Sequence, residues 1–156
     1  MPATGNNSVS VEPLHPVIGA AVHGVDCRRP LSASQFEMIH QAWMTHLVLV
    51  FPGQAVSDAE HVAFSRYFGD LERHHQKILK SQSIPEIFSV SNVDADGNLM
   101  ALANPTLQQV HQARRWHTDS SFREIPSMGS MLHGIEVSRT GGETCFANMY
   151  AHLFTY

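Results

Sequence analysis

The sequence predicts a β-sandwich or barrel decorated by helices, and three observations lead there. Two amphipathic helical patterns come early, short β-like segments follow, and a histidine-bearing loop falls between two of those segments. The regular strand–helix alternation of a doubly wound sheet is missing from residues 85–147.

Residues 1–10 are polar and read as a disordered lead-in to a single domain over 11–156. Val17 to Val25, apolar and punctuated by glycine, suits a short strand. Ser32 with Gln35 makes a capping box, and Phe36, Ile39, Trp43 and Leu47 recur at helical spacing, which predicts a helix over 33–46. Leu47 to Phe51 suits a buried strand stopped by Pro52-Gly53. Ser57 and Glu60 repeat the capping box. The helix they open presents Ala59, Val62, Ala63, Tyr67 and Phe68 on one face and stops at Gly69. Farther on, Ile87 to Val90 is a strand candidate, Asp94 to Asn98 a turn and Met100 to Ala113 a loop. Met128 to Val137 and Glu143 to Phe146 read as strands around an Arg139 to Gly142 turn, and Asn148 caps a last helix.

The bulk properties exclude several classes. The 156 residues are 43% hydrophobic, enough for one domain with a core. A net charge of −4, from 14 acidic and 10 Lys or Arg residues, gives no footprint for nucleic acid or an anionic membrane. The N-terminus lacks the order of a secretory signal, and the aliphatic run Leu47 to Phe51 is far too short to span a bilayer. Cys27 and Cys145 lie far apart with no CxxC partner, which fits a reducing, cytoplasmic setting. Histidine is the outlier, with 11 residues, and raises the prior for metal or acid–base chemistry.

His117 and Asp119 are the main candidates for chemistry. In an extended segment residues i and i+2 point to the same side, so one imidazole and one carboxylate aim at a common point. A mixed nitrogen and oxygen pair suits a divalent first-row metal, and a further histidine would complete a two-histidine, one-carboxylate triad with three open positions. Spacing alone also fits a surface histidine and aspartate at a strand end. Thr144 follows Gly141-Gly142, where the backbone can turn sharply or approach a ligand; a hairpin followed by an ordinary strand threonine fits the same residues. His74-His75 diverge in an extended chain, so a solvated loop pair is the default, with one of them free to face a pocket. Lys77, Lys80, Arg114 and Arg115 are expected at the surface; one lining a pocket could pair with an anionic substrate, and the sequence does not choose among them. Asp94 to Asn98 only superficially resembles a calcium loop. Its glycine is misplaced, and the required twelfth-position acid would fall on Pro105. His133 alternates within an apolar segment and reads as a packed, hydrogen-bonded histidine.

Taken in order, these pieces resemble the taurine dioxygenase and 2,4-dichlorophenoxyacetate dioxygenase family, from about Val17 onward. The likeness runs through Ile18-Gly19-Ala20, Gly24-Val25-Asp26, Arg29-Pro30-Leu31-Ser32, Phe51, Gln54 and Arg66-Tyr67-Phe68-Gly69-Asp70-Leu71. Its most specific parts are Trp116-His117-Thr118-Asp119-Ser120-Ser121-Phe122, Gly141-Gly142-Glu143-Thr144 and Phe146-Ala147-Asn148-Met149-Tyr150. The resemblance implies a mainly β fold with peripheral α-helices, part of a double-stranded β-helix or jelly roll. It implies that His117 and Asp119 bind Fe(II), that Thr144 helps hold the distal carboxylate of 2-oxoglutarate, and that His74 contacts substrate. The implied reaction uses Fe(II), 2-oxoglutarate and O2, and hydroxylates a small organic acid while releasing succinate and CO2. Ser120-Ser121-Phe122-Arg123 looks closer to the aryloxyalkanoate-type members than to the taurine enzymes. Ala113, where a taurine-type member would place a substrate-contacting asparagine, argues against taurine itself. Related enzymes commonly associate, which leaves a homo-oligomer open.

Family members run to nearly twice this length, and the resemblance places their third ligand, a distal histidine, and an arginine for 2-oxoglutarate in the second half. Neither motif occurs here, and neither His133 nor His152 matches the distal position. The expected chain is therefore an N-terminal portion truncated at its C-terminus, holding iron weakly and leaving an open sheet edge. Two other readings stand beside a piece of a working dioxygenase: an inactive remnant or binding module, and a cupin-like metal protein that does not use 2-oxoglutarate.

Overall fold

The ends of the first elements are set by local chemistry that the sequence displays. Ser32 is the N-cap of helix α1 (Ala33–His46): its hydroxyl accepts from Gln35 N–H, and the Gln35 side chain accepts from Ser32 N–H. The helix ends at Leu47, whose φ is +65° and whose N–H donates to the Trp43 carbonyl. The Trp43 indole in turn donates to the Leu47 carbonyl, which satisfies one of the orphan groups of that end. Ser57 and Glu60 form the same reciprocal cap on α2 (Asp58–Ser65). That helix tightens into a 3-10 turn over Arg66–Phe68 instead of continuing to Phe68 as an α-helix.

The computed structural model describes residues 8–73, 84–94, 96–112 and 114–153. Two compact units are present, one within Met1–Phe68 and Gly134–Tyr156, the other within Gly69–His133. His74, His75, Lys77, Lys80 and Ala113 lie outside the described residues.

The first unit holds a three-stranded sheet in the order β1 (Ser10–Pro13), β2 (Ala20–His23), β3 (Leu49–Val50). β1 pairs antiparallel to β2, with Ser10 opposite His23 and Pro13 opposite Ala20; β2 pairs parallel to β3, with Ala20 opposite Leu49. The parallel pair requires a crossover, and α1 supplies it. Order begins earlier than the expected lead-in allows, because Val9 is buried and β1 starts at Ser10. β2 is shorter than Val17–Val25 because Gly19 and Gly24 bracket it with φ of +90° and +78°.

Val9, Val22, Val25, Cys27, Ile39 and Phe64 form the core, flanked by Leu31, Leu49, Phe51, Val56 and Phe68. Edge-to-face rings knit it together: Trp43 on Phe68 at 5.6 Å and Phe51 on Phe64 at 5.4 Å. Gln54 ties the loop after β3 to the segment after β2, accepting from Cys27 N–H at 3.0 Å and donating to the Val25 carbonyl at 3.0 Å. Burial pushes the Cys27 thiol up to about 11, which leaves it protonated and unreactive.

Gly24 occupies the tightest position in this unit. A Cβ there would lie 2.5 Å from the Ser8 carbonyl oxygen, with φ at +78°. Both backbone strain and a backbone clash therefore oppose any side chain. Gly24→Ala is expected to cost roughly 1–3 kcal/mol or more, read as a lower midpoint in urea unfolding at constant slope.

The second unit holds α3 (Pro105–Gln112) and an isolated bridge between Val93 and Leu99. α3 replaces most of the loop expected from Met100 onward. Its signal was present in the sequence: Asn104 caps it, accepting from Thr106 N–H at 2.9 Å, and Pro105 takes the first helical position. The Asp94–Asn98 turn forms as expected, with Asp94 Oδ1 accepting from the backbone N–H of Asp96 and Asn98. Ile87 to Val90 forms no named strand among the described residues; Phe88 alone is a β-bridge position.

Met128 to Val137 and Glu143 to Phe146 also form no strands. A strand exists as part of a ladder, and among the described residues none lies alongside these segments. Their apolar side chains are correspondingly open to solvent, with Leu132, Ile135 and Val137 all exposed. The described residues thus give one small sheet and four α-helices. The last helix, α4 (Met149–Leu153), is capped as expected, with Asn148 Oδ1 accepting from Tyr150 and Ala151 N–H. Asn148 Nδ2 also donates to the Val17 carbonyl at 2.7 Å, which fixes this cap to the first strands of its unit. Among the described residues no helix is long and apolar enough to cross a membrane.

Candidate metal centre

α3 closes with Arg114 N–H donating to the His111 carbonyl, and the chain then runs without regular secondary structure through Trp116, His117 and Thr118 to a turn at Asp119. The i and i+2 side chains meet there: His117 Nε2 lies 3.1 Å from Asp119 Oδ1. The other ring nitrogen, Nδ1, donates to the Arg115 carbonyl at 2.7 Å. The second carboxylate oxygen, Asp119 Oδ2, accepts from the Ser130 hydroxyl at 2.7 Å. Each of the two side chains is therefore held by its far atom and presents its near atom to the other.

This arrangement is chemically pointed. With the proton on Nδ1, a neutral His117 faces the carboxylate with its Nε2 lone pair, and a cation must sit between two such donors. Without a metal, a proton on Nε2 would fill that place. The hydrogen bond to the Arg115 carbonyl, and secondarily the Asp119 charge, hold the His117 pKa above its usual value. With a metal the fit is also good. Two ligands about 2.1 Å from an ion in neighbouring octahedral positions stand about 3 Å apart, close to the separation seen. An imidazole whose remote N–H binds a backbone carbonyl is the usual support for a metal-binding histidine. The side chains are 50% and 58% exposed, so further ligands have access. Among the described residues no third His, Cys, Asp or Glu joins the pair.

The other expected site residues are distributed differently. Thr144 lies in the first unit, exposed, two residues beyond Gly141 and Gly142 with φ of +73° and +79°. Nothing lies within 4 Å of a Cβ built on either glycine, so their role in this structure is the left-handed turn. His74 lies outside the described residues. His133 is half-buried but not in a strand. A cavity of about 320 Å3 opens in the first unit against Cys27, Arg28, Arg29, Phe64, Arg66 and Tyr67, and none of the expected site residues lines it. Ser130 and the Arg115 carbonyl are the supporting groups that sequence reasoning missed. The first has no periodic relation to Asp119, and the second is a backbone atom.

The first unit is a small sheet packed by helices, and the second carries a His-x-Asp pair at metal-ligand separation. The chain belongs to the taurine catabolism dioxygenase TauD, TfdA family, whose model matches residues 10–154. It is 34% identical to the alpha-ketoglutarate-dependent 2,4-dichlorophenoxyacetate dioxygenase of Cupriavidus pinatubonensis, over 92% of this chain and 51% of that protein. It is 30% identical to the (S)-phenoxypropionate/alpha-ketoglutarate-dioxygenase of Delftia acidovorans, over 92% and 48%. The crystal structure of AAD-2 in complex with Mn(II) and N-oxalylglycine superposes with a TM-score of 0.63 at 28% identity, covering 76% of this chain and 39% of that one. The chain spans about half the length of the curated relatives it matches.

Proposed function

We propose that this chain is the metal-pair portion of an Fe(II)- and 2-oxoglutarate-dependent dioxygenase that hydroxylates a small organic acid, aryloxyalkanoate- or sulfonate-like, with release of succinate and CO2. The observation that carries this reading is the 3.1 Å approach of His117 Nε2 to Asp119 Oδ1 in a chain of this family. The relatives' names supply the substrate class, since two act on aryloxy acids and a third, from Pseudomonas putida, on sulfate esters. All of these substrates carry an anionic head. The Mn(II) and N-oxalylglycine held by AAD-2 stand in for Fe(II) and 2-oxoglutarate.

Iron, 2-oxoglutarate and O2, when bound, supply the oxidative decarboxylation and the hydroxyl transfer. The chain's own residues bind and orient. His117 presents Nε2 because Nδ1–H is committed to the Arg115 carbonyl. Asp119 presents Oδ1 because Oδ2 is engaged by Ser130. Thr144 would help hold the distal carboxylate of 2-oxoglutarate and His74 would contact the substrate, both roles resting on the family resemblance. The fold belongs to a jelly roll, and residues 11–156 form part of a single domain of that kind. The setting is cytoplasmic.

The test is succinate formation from 2-oxoglutarate with Fe(II) and O2, measured against a panel of phenoxyacetates, phenoxypropionates, alkyl sulfates and taurine. Stimulation by the aryloxy acids, with taurine inert, is the expected result. Succinate formation that none of the acids raises above background would overturn the reading.

A further inference from the structure

We propose that Glu72 is a positioning residue for the metal pair, acting through the loop that follows Asp119. This rests on the reading of His117 and Asp119 as metal ligands. Glu72 belongs to the same compact unit as the pair, and its carboxylate gathers three side chains of that loop. Oε2 accepts from the Ser120 hydroxyl at 3.0 Å and from the Ser127 hydroxyl at 2.7 Å, while Oε1 pairs with Arg123. All three donors lie within eight residues after Asp119, so a single carboxylate, with acceptor sites for about four hydrogen bonds, organises the whole turn.

Two features make this more than a surface ion pair. Ser120 has φ at +53°, a left-handed conformation that a non-glycine residue adopts only when its surroundings impose it. Its hydroxyl bond to Glu72 and the bond from Arg123 N–H to the Ser120 carbonyl, 3.1 Å, hold it there. Ser120 follows Asp119 directly, so holding Ser120 holds the backbone adjoining Asp119. Arg123, for its part, lies over the Phe122 ring at 5.8 Å, and its buried Nε has no hydrogen-bond partner among the described residues. Glu72 is the carboxylate that pairs with its guanidinium, and removing it frees the loop from this anchor. Ser130 fixes Asp119 from one side, and Glu72 fixes the backbone on which Asp119 stands.

The experiment is a Mn(II) titration of the full chain, followed by the electron paramagnetic resonance signal of free Mn(II), alongside amide hydrogen exchange over 119–127. Glu72→Ala is expected to raise the Mn(II) dissociation constant about 10-fold, the lower end of the loss typical for outer supporting groups, and to speed exchange in the loop. Glu72→Gln, which keeps an acceptor for the serines, is expected to fall between it and the parent. Adding Ser120→Gly to Glu72→Ala removes the left-handed strain and is expected to restore part of the affinity, which a residue needed only for global folding would not do. Parent-like Mn(II) binding and loop exchange in both Glu72 variants would overturn the role given to Glu72 while leaving the pair intact. A parent chain that binds no Mn(II) would overturn the metal pair itself, and this proposal with it.

Discussion

Replacing His117 by alanine is expected to weaken divalent-metal binding by more than the roughly 10–100-fold that loss of an outer supporting group costs, and to stop 2-oxoglutarate turnover. The loss is this large because the described residues supply two protein donors, and His117 Nε2 is one of them. Asp119→Asn should be severe for a different reason. It keeps an oxygen near the same place, and Ser130 can still donate to it, but it removes the negative charge that a divalent ion needs. Neither change should unfold the chain, since the two side chains are half exposed and away from the core, where substitutions usually shift stability by less than about 0.5 kcal/mol. Anaerobic Fe(II) calorimetry paired with thermal melts separates the two effects. Lost binding at an unchanged melting temperature supports the assignment, and unchanged binding in both variants refutes it.

The second large effect concerns the fold. Ile39 is completely buried, on the inner face of α1 between the sheet and Phe64. Ile39→Ala removes three carbons from a packed interior and leaves a cavity, a change that costs about 2–5 kcal/mol. For a small domain with a total stability of roughly 5–15 kcal/mol, that is a large fraction of what holds it folded. Ile135→Ala offers the contrast. The side chain is 81% exposed, and its loss should be nearly neutral in this chain. Urea unfolding followed by the fluorescence of half-buried Trp43 gives both numbers. Equal costs at the two positions would mean that the core has been misplaced.

What could be read from the sequence divides along a physical line. α1 appeared with its expected ends because every signal for it is local: a capping box at Ser32 and Gln35, and an apolar repeat through Ile39 and Trp43. The second capping box was equally legible, although the last turn of that helix tightened into a 3-10 form. α3 lies where a loop over Met100 to Ala113 is expected, although its start carries a local signal, the Asn104 cap followed by a first-turn Pro105. The strands over 128–137 and 143–146 failed for a non-local reason. Alternation marks a segment as able to pair, but pairing needs a neighbour, and none of the described residues provides one.

The site divides in the same way. The i, i+2 rule was enough to bring His117 and Asp119 together, since it is local. The rule could not find Ser130, eleven residues beyond Asp119, or Glu72, whose ties to Ser120 and Ser127 span 48 and 55 residues. The Gly141-Gly142 turn before Thr144 fits a plain hairpin as well as a ligand site, so the roles of Thr144 and His74 come from family resemblance. Their roles remain part of the proposal.

The proposed chemistry depends on a divalent ion sitting between His117 and Asp119. Paramagnetic broadening of backbone amide resonances by substoichiometric Mn(II) locates that ion directly. The amides of 116–120 are expected to broaden first, and His117→Ala to abolish the effect. Broadening centred instead on the acidic turn at Asp94–Asn98, or none at the amides of 116–120, would contradict that placement.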